Sequence, residues 1–189
     1  MTIPINVVAV SGSATSGQSR TLALTRAIVD QLREHLSINV HVIELGELAR
    51  PLGNALWRNE LPDLVEHQLR RIEAADLLVV SSPVYRGSYP GLLKHLFDLV
   101  DMDALVDTPV LLAATGGSER HALVLEHQLR PLFGFFQSLT LPIGVYATEK
   151  DFDGTRITSA ALQDRIALAG SRAAGLFADH AALPLRKIA

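Results

Sequence analysis

The chain has 189 residues, 48% of them hydrophobic and 20% charged, with a formal net charge of −3 and no cysteine. That length suits one α/β domain with a sizeable core rather than two full domains. The charge offers no footprint for nucleic acid or an anionic membrane surface, and the absence of cysteine excludes disulfides, thiolate metal sites and cysteine nucleophiles.

The opening MTIPINVVAV lacks the basic start and long apolar run of a signal peptide, and Ile5 to Val10 reads as a first buried strand. No apolar stretch approaches the roughly 20 residues of a membrane span, so a cytoplasmic protein is expected. Ser19 to Leu36 follows, with a helical stripe of Leu24, Ile28, Leu32 and Leu36. Ile38 to Leu45 returns to strand character. Gly46 to Pro62 is the one long irregular stretch, either a partner-contacting loop or a short helix with its flanks. Asp63 and Glu66 predict a capping box for a helix carrying Val65, Leu69 and Ile72. Leu77 to Ser81 is a third strand broken by Pro83, and Ser88 to Val100 is helical with Pro90 in its first turn. Pro109 to Ala114 is a fourth strand, after which Ser118 is placed to cap a helix. Leu139 to Ala147 is a fifth strand, and Ser159 to His180 a last helix with Leu162, Ile166, Ala169, Ala173 and Leu176 on one side. Residues 1–180 are thus expected to form a single domain, with 181–189 as a frayed tail.

Strands alternating with helices imply a parallel sheet covered on both faces. In such folds ligands bind beyond the carboxyl ends of the strands, where the strand order reverses. Three loops leave those ends: residues 11–21, 82–89 and 115–121. The first combines Ser11, Gly12, Ser13, Thr15, Ser16, Gly17 and Ser19 with no acid, immediately before a helix. Free N–H groups, a helix dipole, the hydroxyls of Ser13, Ser19 and Thr21 and the charge of Arg20 suit a phosphate; the plainer alternative is a serine-rich cap and turn. The loop lacks the Gly-Lys-Ser/Thr ending of a Walker loop and the three glycines of a dinucleotide fingerprint. Glu44, ending the second strand, is the one feature favouring a ribose-binding Rossmann domain. In the second loop, proline and glycine fix a backbone path that can face a planar heterocycle, with Tyr85 offering a ring. In the third, Gly116 and Gly117 allow close backbone approach and donors aimed at negative charge.

Together GSxxxxxSRT, SPVYRGSYPGxLK and ATGGSxxH resemble the flavodoxin-like NAD(P)H-dependent FMN reductases, above all those of two-component alkanesulfonate and methanesulfonate monooxygenase systems, over about residues 5–175. The resemblance implies a three-layer sandwich around a five-stranded parallel sheet of order 2-1-3-4-5. It implies FMN, with Ser13, Ser19, Arg20 and Thr21 at the phosphate, Pro83, Val84, Tyr85 and Arg86 along one ring edge, and Thr115, Gly116, Gly117 and Ser118 near the pyrimidine end. The first loop is slightly longer than in some members, leaving open which of Thr15, Ser16 and Arg20 meets phosphate. NADH or NADPH would be the hydride donor, and the absence of an evident basic cluster for a 2′-phosphate favours NADH. Reduced FMN would pass to a separate FMNH2-dependent monooxygenase, and a homodimer or homotetramer is implied. The alternatives are an FMN-retaining quinone or azo reductase and a non-enzymatic flavodoxin-like electron carrier. A serine hydrolase would want a G-x-S-x-G elbow, which does not occur.

Pro131 falls inside the helical pattern HALVLEHQLRPLFGFF, where its ring would strike the carbonyl of His127. A kink or π-bulge near His127 is therefore expected. His127 is a candidate for a subunit contact that tunes flavin release, and His121 a candidate for approach to flavin or nicotinamide; neither is assigned a catalytic role. His35, His41, His67, His95 and His180 read as surface or structural, and no pair makes a convincing metal site.

Overall fold

A computed structural model describes residues 4–177. The tail expected at 181–189 lies outside the described residues. Five parallel ladder positions run in the order β2-β1-β3-β4-β5, the flavodoxin-like doubly wound arrangement. The central strands β1 (Ile5–Ser11), β3 (Leu77–Pro83) and β4 (Pro109–Gly116) are almost wholly buried. Their continuous Val/Leu/Ala runs suit strands covered on both faces. β2 (Ile38–Glu44) is the half-exposed edge strand and pairs in register with β1 from Ile5↔Ile38 to Ser11↔Glu44.

α1 (Arg20–His35) and α6 (Ala160–Gly175) cover one face, α1 burying Leu24, Ile28 and Leu32 against Val7, Ala9 and Val79. α2 (Leu45–Gly53), α3 (Asp63–Glu73), α4 (Gly91–Asp98) and α5 (Arg130–Phe135) cover the other. There Phe97 and Phe133 meet edge to face at 4.9 Å between ring centroids. No helix among the described residues is long and apolar enough to cross a membrane.

The elements depart from the sequence expectations in instructive places. The fifth strand is split: β5 (Leu139–Thr140) pairs with Pro109 and Val110, and β6 (Val145–Thr148) with Ala113 to Gly116. Pro142 lies between them and has no N–H for the ladder. Carbonyls freed there are taken by side chains, Leu141 by Arg130 Nη1 at 3.0 Å and Gly144 by Arg165 Nε at 2.8 Å. After β6 a two-stranded ribbon, β7 (Phe152–Asp153) and β8 (Arg156–Ile157), precedes α6.

The irregular stretch resolves into α2 and a 3-10 turn at Arg58–Glu60. The capping box expected of Asp63 and Glu66 does not form, because the cap falls one residue earlier, on Pro62, which has no side-chain acceptor and puts Val65 rather than Glu66 at the third helical position. Glu66 instead binds the Arg58 guanidinium through both oxygens at 3.0 Å, and Arg70 at 2.9 Å. Glu73 grips the same guanidinium and accepts the Asp101 N–H at 2.9 Å. The fourth helix is shorter than predicted because Tyr85 to Ser88 forms a tight turn and Pro90 caps α4. α6 ends at Gly175, so Leu176 is exposed and Phe177 is buried in its stead.

The conflict at Pro131 is resolved by a π-helical segment at Leu125–Leu129, which includes His127. The Arg130 N–H donates to the Leu125 carbonyl, five residues back, and Pro131 then enters the first turn of α5 where no N–H is needed.

Candidate active site

The three loops meet above the carboxyl ends of β1, β3 and β4. Gly12 N–H donates to the Ser81 carbonyl at 2.7 Å, steering the chain across the top of β3 before it rises to α1. Ser19 caps α1, its Oγ accepting the Leu22 N–H at 3.0 Å, and Ser13 Oγ accepts the Thr15 N–H at 3.2 Å. Accepting leaves each hydroxyl proton free to donate outward. The N–H groups of Ser13, Ser16 and Gln18 have no acceptor among the described residues. The first turn of α1 carries no acid, so its dipole presents undiluted positive charge to the loop.

Two contacts fix the loop from outside. Thr21 Oγ1 lies 2.7 Å from Thr115 Oγ1 in a buried pair that ties the start of α1 to the end of β4. Glu44 accepts the Gly17 N–H at 3.1 Å and pairs with Arg26 at 3.1 Å. Its carboxylate thus braces the loop, which removes the feature that favoured a ribose-binding Rossmann domain.

In the second loop, Val84 N–H donates to the Thr115 carbonyl at 2.8 Å. Tyr85 and Ser88 then exchange backbone hydrogen bonds of 2.8 and 3.2 Å around Arg86 and Gly87, whose φ values are 53° and 85°. Positive φ at both central residues defines a type I′ turn, which leaves Tyr85 half exposed at the rim. In the third loop, Tyr146 on β6 donates its hydroxyl to the Ser118 carbonyl at 2.6 Å. A side chain at Gly116 would collide with that hydroxyl, so glycine and tyrosine together set how closely the loop backs onto the sheet. Burial raises the Tyr146 hydroxyl above its ordinary pKa, keeping it a donor at neutral pH.

Ser13, Ser19, Arg20 and Thr21 line one cleft of about 260 Å³ with Pro83, Val84, Tyr85, Thr115, Gly116 and Gly117. Arg86 and Ser118 do not line it, Arg86 being carried outward by the turn and Ser118 facing Tyr146 through its carbonyl. Thr15 and three residues not singled out from the sequence, Gln18, Thr148 and Glu149, complete the wall. Thr148 ends β6 and Glu149 follows it, and the rule that sites form beyond strand carboxyl ends was the available signal. His121 and His127 are exposed and lie outside the cleft wall. His41 and His95 have structural partners, Gln68 Oε1 at 2.6 Å and the Ala55 carbonyl at 2.8 Å. No cluster able to hold a metal occurs among the described residues. A larger cleft of about 500 Å³ beside Asn6 and Ala74 opens at the opposite, amino-terminal ends of the strands, where this architecture does not place its ligands.

Arg20 is the single cation in the cleft wall. Its Nη1 is 3.0 Å from Glu149 Oε1, and its Nε donates to the Gly154 carbonyl at 3.3 Å. The donors suit a terminal phosphate monoester: hydroxyls, free N–H groups, one guanidinium and a helix terminus. Beside them, two glycines and a half-exposed tyrosine leave flat surface for a ring. A cleft smaller than the roughly 300–1,000 Å³ of pockets that engulf their ligands would enclose a phosphorylated ring compound only in part.

A doubly wound α/β sheet with a donor-rich, non-Walker loop and a cleft at its carboxyl edge suits the flavin-nucleotide oxidoreductases. The chain belongs to the NADPH-dependent FMN reductase family, which it matches over residues 5–153. It is 67% identical over 183 residues to the NADH-dependent FMN reductase SfnE of Pseudomonas putida, covering 97% of this chain and 98% of that one. It is 63% identical to an FMN reductase (NADPH) of Pseudomonas aeruginosa, with the same coverage. An oxidoreductase from Corynebacterium diphtheriae superposes with a TM-score of 0.82 at 34% identity, over 92% of this chain and 96% of that chain.

Proposed function

We propose that this chain is an NAD(P)H-dependent FMN reductase that binds FMN at the cleft, reduces it with hydride from a nicotinamide, and releases it. The observation that carries this reading is the meeting of ten residues from three separate loops in one cleft wall. Ser13, Ser19, Arg20 and Thr21 would hold the phosphate; Thr115 to Gly117 and Pro83 to Tyr85 would border the ring. FMN supplies the hydride-accepting chemistry when bound. The protein's part is to orient: the backbone of the second and third loops is locked by the Val84–Thr115 and Tyr146–Ser118 hydrogen bonds. N–H groups around Gly116 and Gly117 would supply donors to the electron-rich edge of a bound flavin. No side-chain acid or base is required, and neither His121 nor His127 reaches the cleft wall.

The shallow cleft favours exchange over retention, which suits delivery of reduced FMN to a separate FMNH2-dependent monooxygenase, as the resemblance to sulfonate-system reductases implies. The same resemblance implies a cytoplasmic homodimer or homotetramer. Exposed Trp57, Leu123 and Phe135 offer apolar surface for it, and His127 on the π-helical segment is open to such a contact. His127→Ala, tested for assembly, FMN affinity and turnover, should change at least one of the three.

The test of function is anaerobic oxidation of NADH and NADPH with added FMN, FAD or riboflavin. Strong preference for FMN is expected, and equal use of riboflavin would remove the phosphate cradle from the reading. A yellow flavin surviving dialysis, with ping-pong kinetics on quinones, would assign the chain to the FMN-retaining reductases instead.

A further inference from the structure

We infer that Glu149 is a built-in competitor of the flavin phosphate for Arg20, and that it sets how readily FMN exchanges. This rests on the reading above that the phosphate occupies the loop of residues 12–21.

The turn that carries Glu149 does not need its carboxylate. Asp151 builds that turn: its Oδ2 accepts the Thr148 N–H at 2.7 Å and the Thr148 hydroxyl at 2.9 Å. Glu149 is left 63% exposed, and Arg20 is its one side-chain partner among the described residues. An exposed pair of this kind contributes little to folding. Yet Glu149 stands in the cleft wall, in contact with the only cation there. A second carboxylate, Glu44, already holds the Gly17 N–H of the same loop.

A phosphate monoester brings a charge of about −1.5 to −2 near neutral pH. It meets an Arg20 whose Nη1 faces a carboxylate and whose Nε faces the Gly154 carbonyl. Either the phosphate shares Arg20 with Glu149, and the two anions repel across a short gap, or Glu149 must swing away. Both routes weaken binding of the phosphorylated flavin and shorten its residence. Riboflavin, which lacks the phosphate, carries no such penalty. Exchange of flavin is what a reductase that hands on its product requires, so the residue acts on release and flavin selection rather than on hydride transfer.

The experiment is a fluorescence titration of wild type and Glu149→Gln with FMN and with riboflavin, without nicotinamide, at low and high salt. Glutamine keeps the shape and can still accept from Arg20, so the comparison isolates charge. Expected is FMN binding tightened roughly three- to tenfold, slower FMN dissociation in stopped flow, and riboflavin affinity within about twofold of wild type. The gain should shrink at high salt. Unchanged or weakened FMN binding in the variant, or an equal response of both flavins, would overturn the inference while leaving the cradle in place. A wild type that fails to prefer FMN over riboflavin would instead remove the phosphate cradle itself, and the inference with it.

Discussion

Gly46 lies in the first turn of α2 against the hydroxyl-rich loop, and its φ lies outside the left-handed region, so the demand for glycine there is purely steric. A Cβ at this position would sit 2.5 Å from Ser16 N, 2.7 Å from the Thr15 carbonyl carbon and 2.9 Å from Ala14 O. All three neighbours are backbone, so no rotamer change can relieve the contact. Ordinary contact begins near 3.4 Å, so Gly46→Ala must push the loop outward by roughly 1 Å. Overpacking of this kind costs about 1–3 kcal/mol, or a melting temperature lower by roughly 2–4 °C per kcal/mol for a chain of this size. Displaced N–H and hydroxyl donors would also lose alignment with the phosphate. One charge-assisted hydrogen bond weakened by about 1.4 kcal/mol is a tenfold change in affinity, and two give roughly a hundredfold. Flavin fluorescence quenching should therefore show FMN affinity falling roughly ten- to hundredfold in Gly46→Ala, with riboflavin affected far less. FMN affinity within twofold of the parent, at the parental melting temperature, would refute both the steric reasoning and the role given to the loop.

Tyr146→Phe removes the donor to the Ser118 carbonyl; stability should fall by about 1 kcal/mol, and the KM for FMN should rise more than kcat falls, as steady-state kinetics would reveal. Glu66 is held at about 2, well below its usual 4.5, by hydrogen bonds from Arg58 and then Arg70, against the opposing effect of burial. A depressed carboxylate stabilises the fold fully above its unfolded value and loses that contribution as pH falls toward 2. The shift corresponds to at most about 3 kcal/mol, reduced by solvent screening to about 1–2 kcal/mol. Glu66→Gln should thus be less stable than wild type in denaturant melts at pH 7, and the difference should vanish as pH approaches 2. Ser81 Oγ is fully buried without a hydrogen-bond partner among the described residues; Ser81→Ala should leave stability unchanged or raise it by roughly 1 kcal/mol, and a clear loss in thermal melts would show that the hydroxyl has a partner such as water.

What the sequence revealed about the site depended on whether the chemistry was written in neighbouring residues. The loop of residues 11–21 was legible as part of the cleft wall because small residues, hydroxyls and a following amphipathic helix lie side by side just beyond the end of a strand. The π-helical segment was legible for a similar reason: Pro131 cannot follow His127 by four residues in a regular helix. The split of the fifth strand was within reach, since Pro142 interrupts it, but the apolar run on either side hid the break. The failed capping box at Asp63 shows the opposite case, in which a pattern match ignored that Pro62, fixed in φ, makes Asp63 the first helical residue and so moves Glu66 past the position the box needs.

Gly46, Tyr146 and Glu149 were not legible because each acts on a loop that the chain reaches only after folding. Gly46 leaves room for a backbone about 30 residues earlier, Tyr146 holds a carbonyl 28 residues earlier, and Glu149 pairs with Arg20 across 129 residues. None has a local pattern that separates it from an ordinary helix glycine, strand tyrosine or surface glutamate. All three lie on elements outside the three loops with recognisable motifs, which supply donors but do not fix their own positions or net charge. Grafting those loops onto another parallel sheet would therefore transfer the donors without the brace beneath the first loop, the hydroxyl clamp on the third, or the carboxylate beside Arg20. Such a graft should bind FMN poorly where the brace is missing, and should release it slowly where the brace is restored without Glu149.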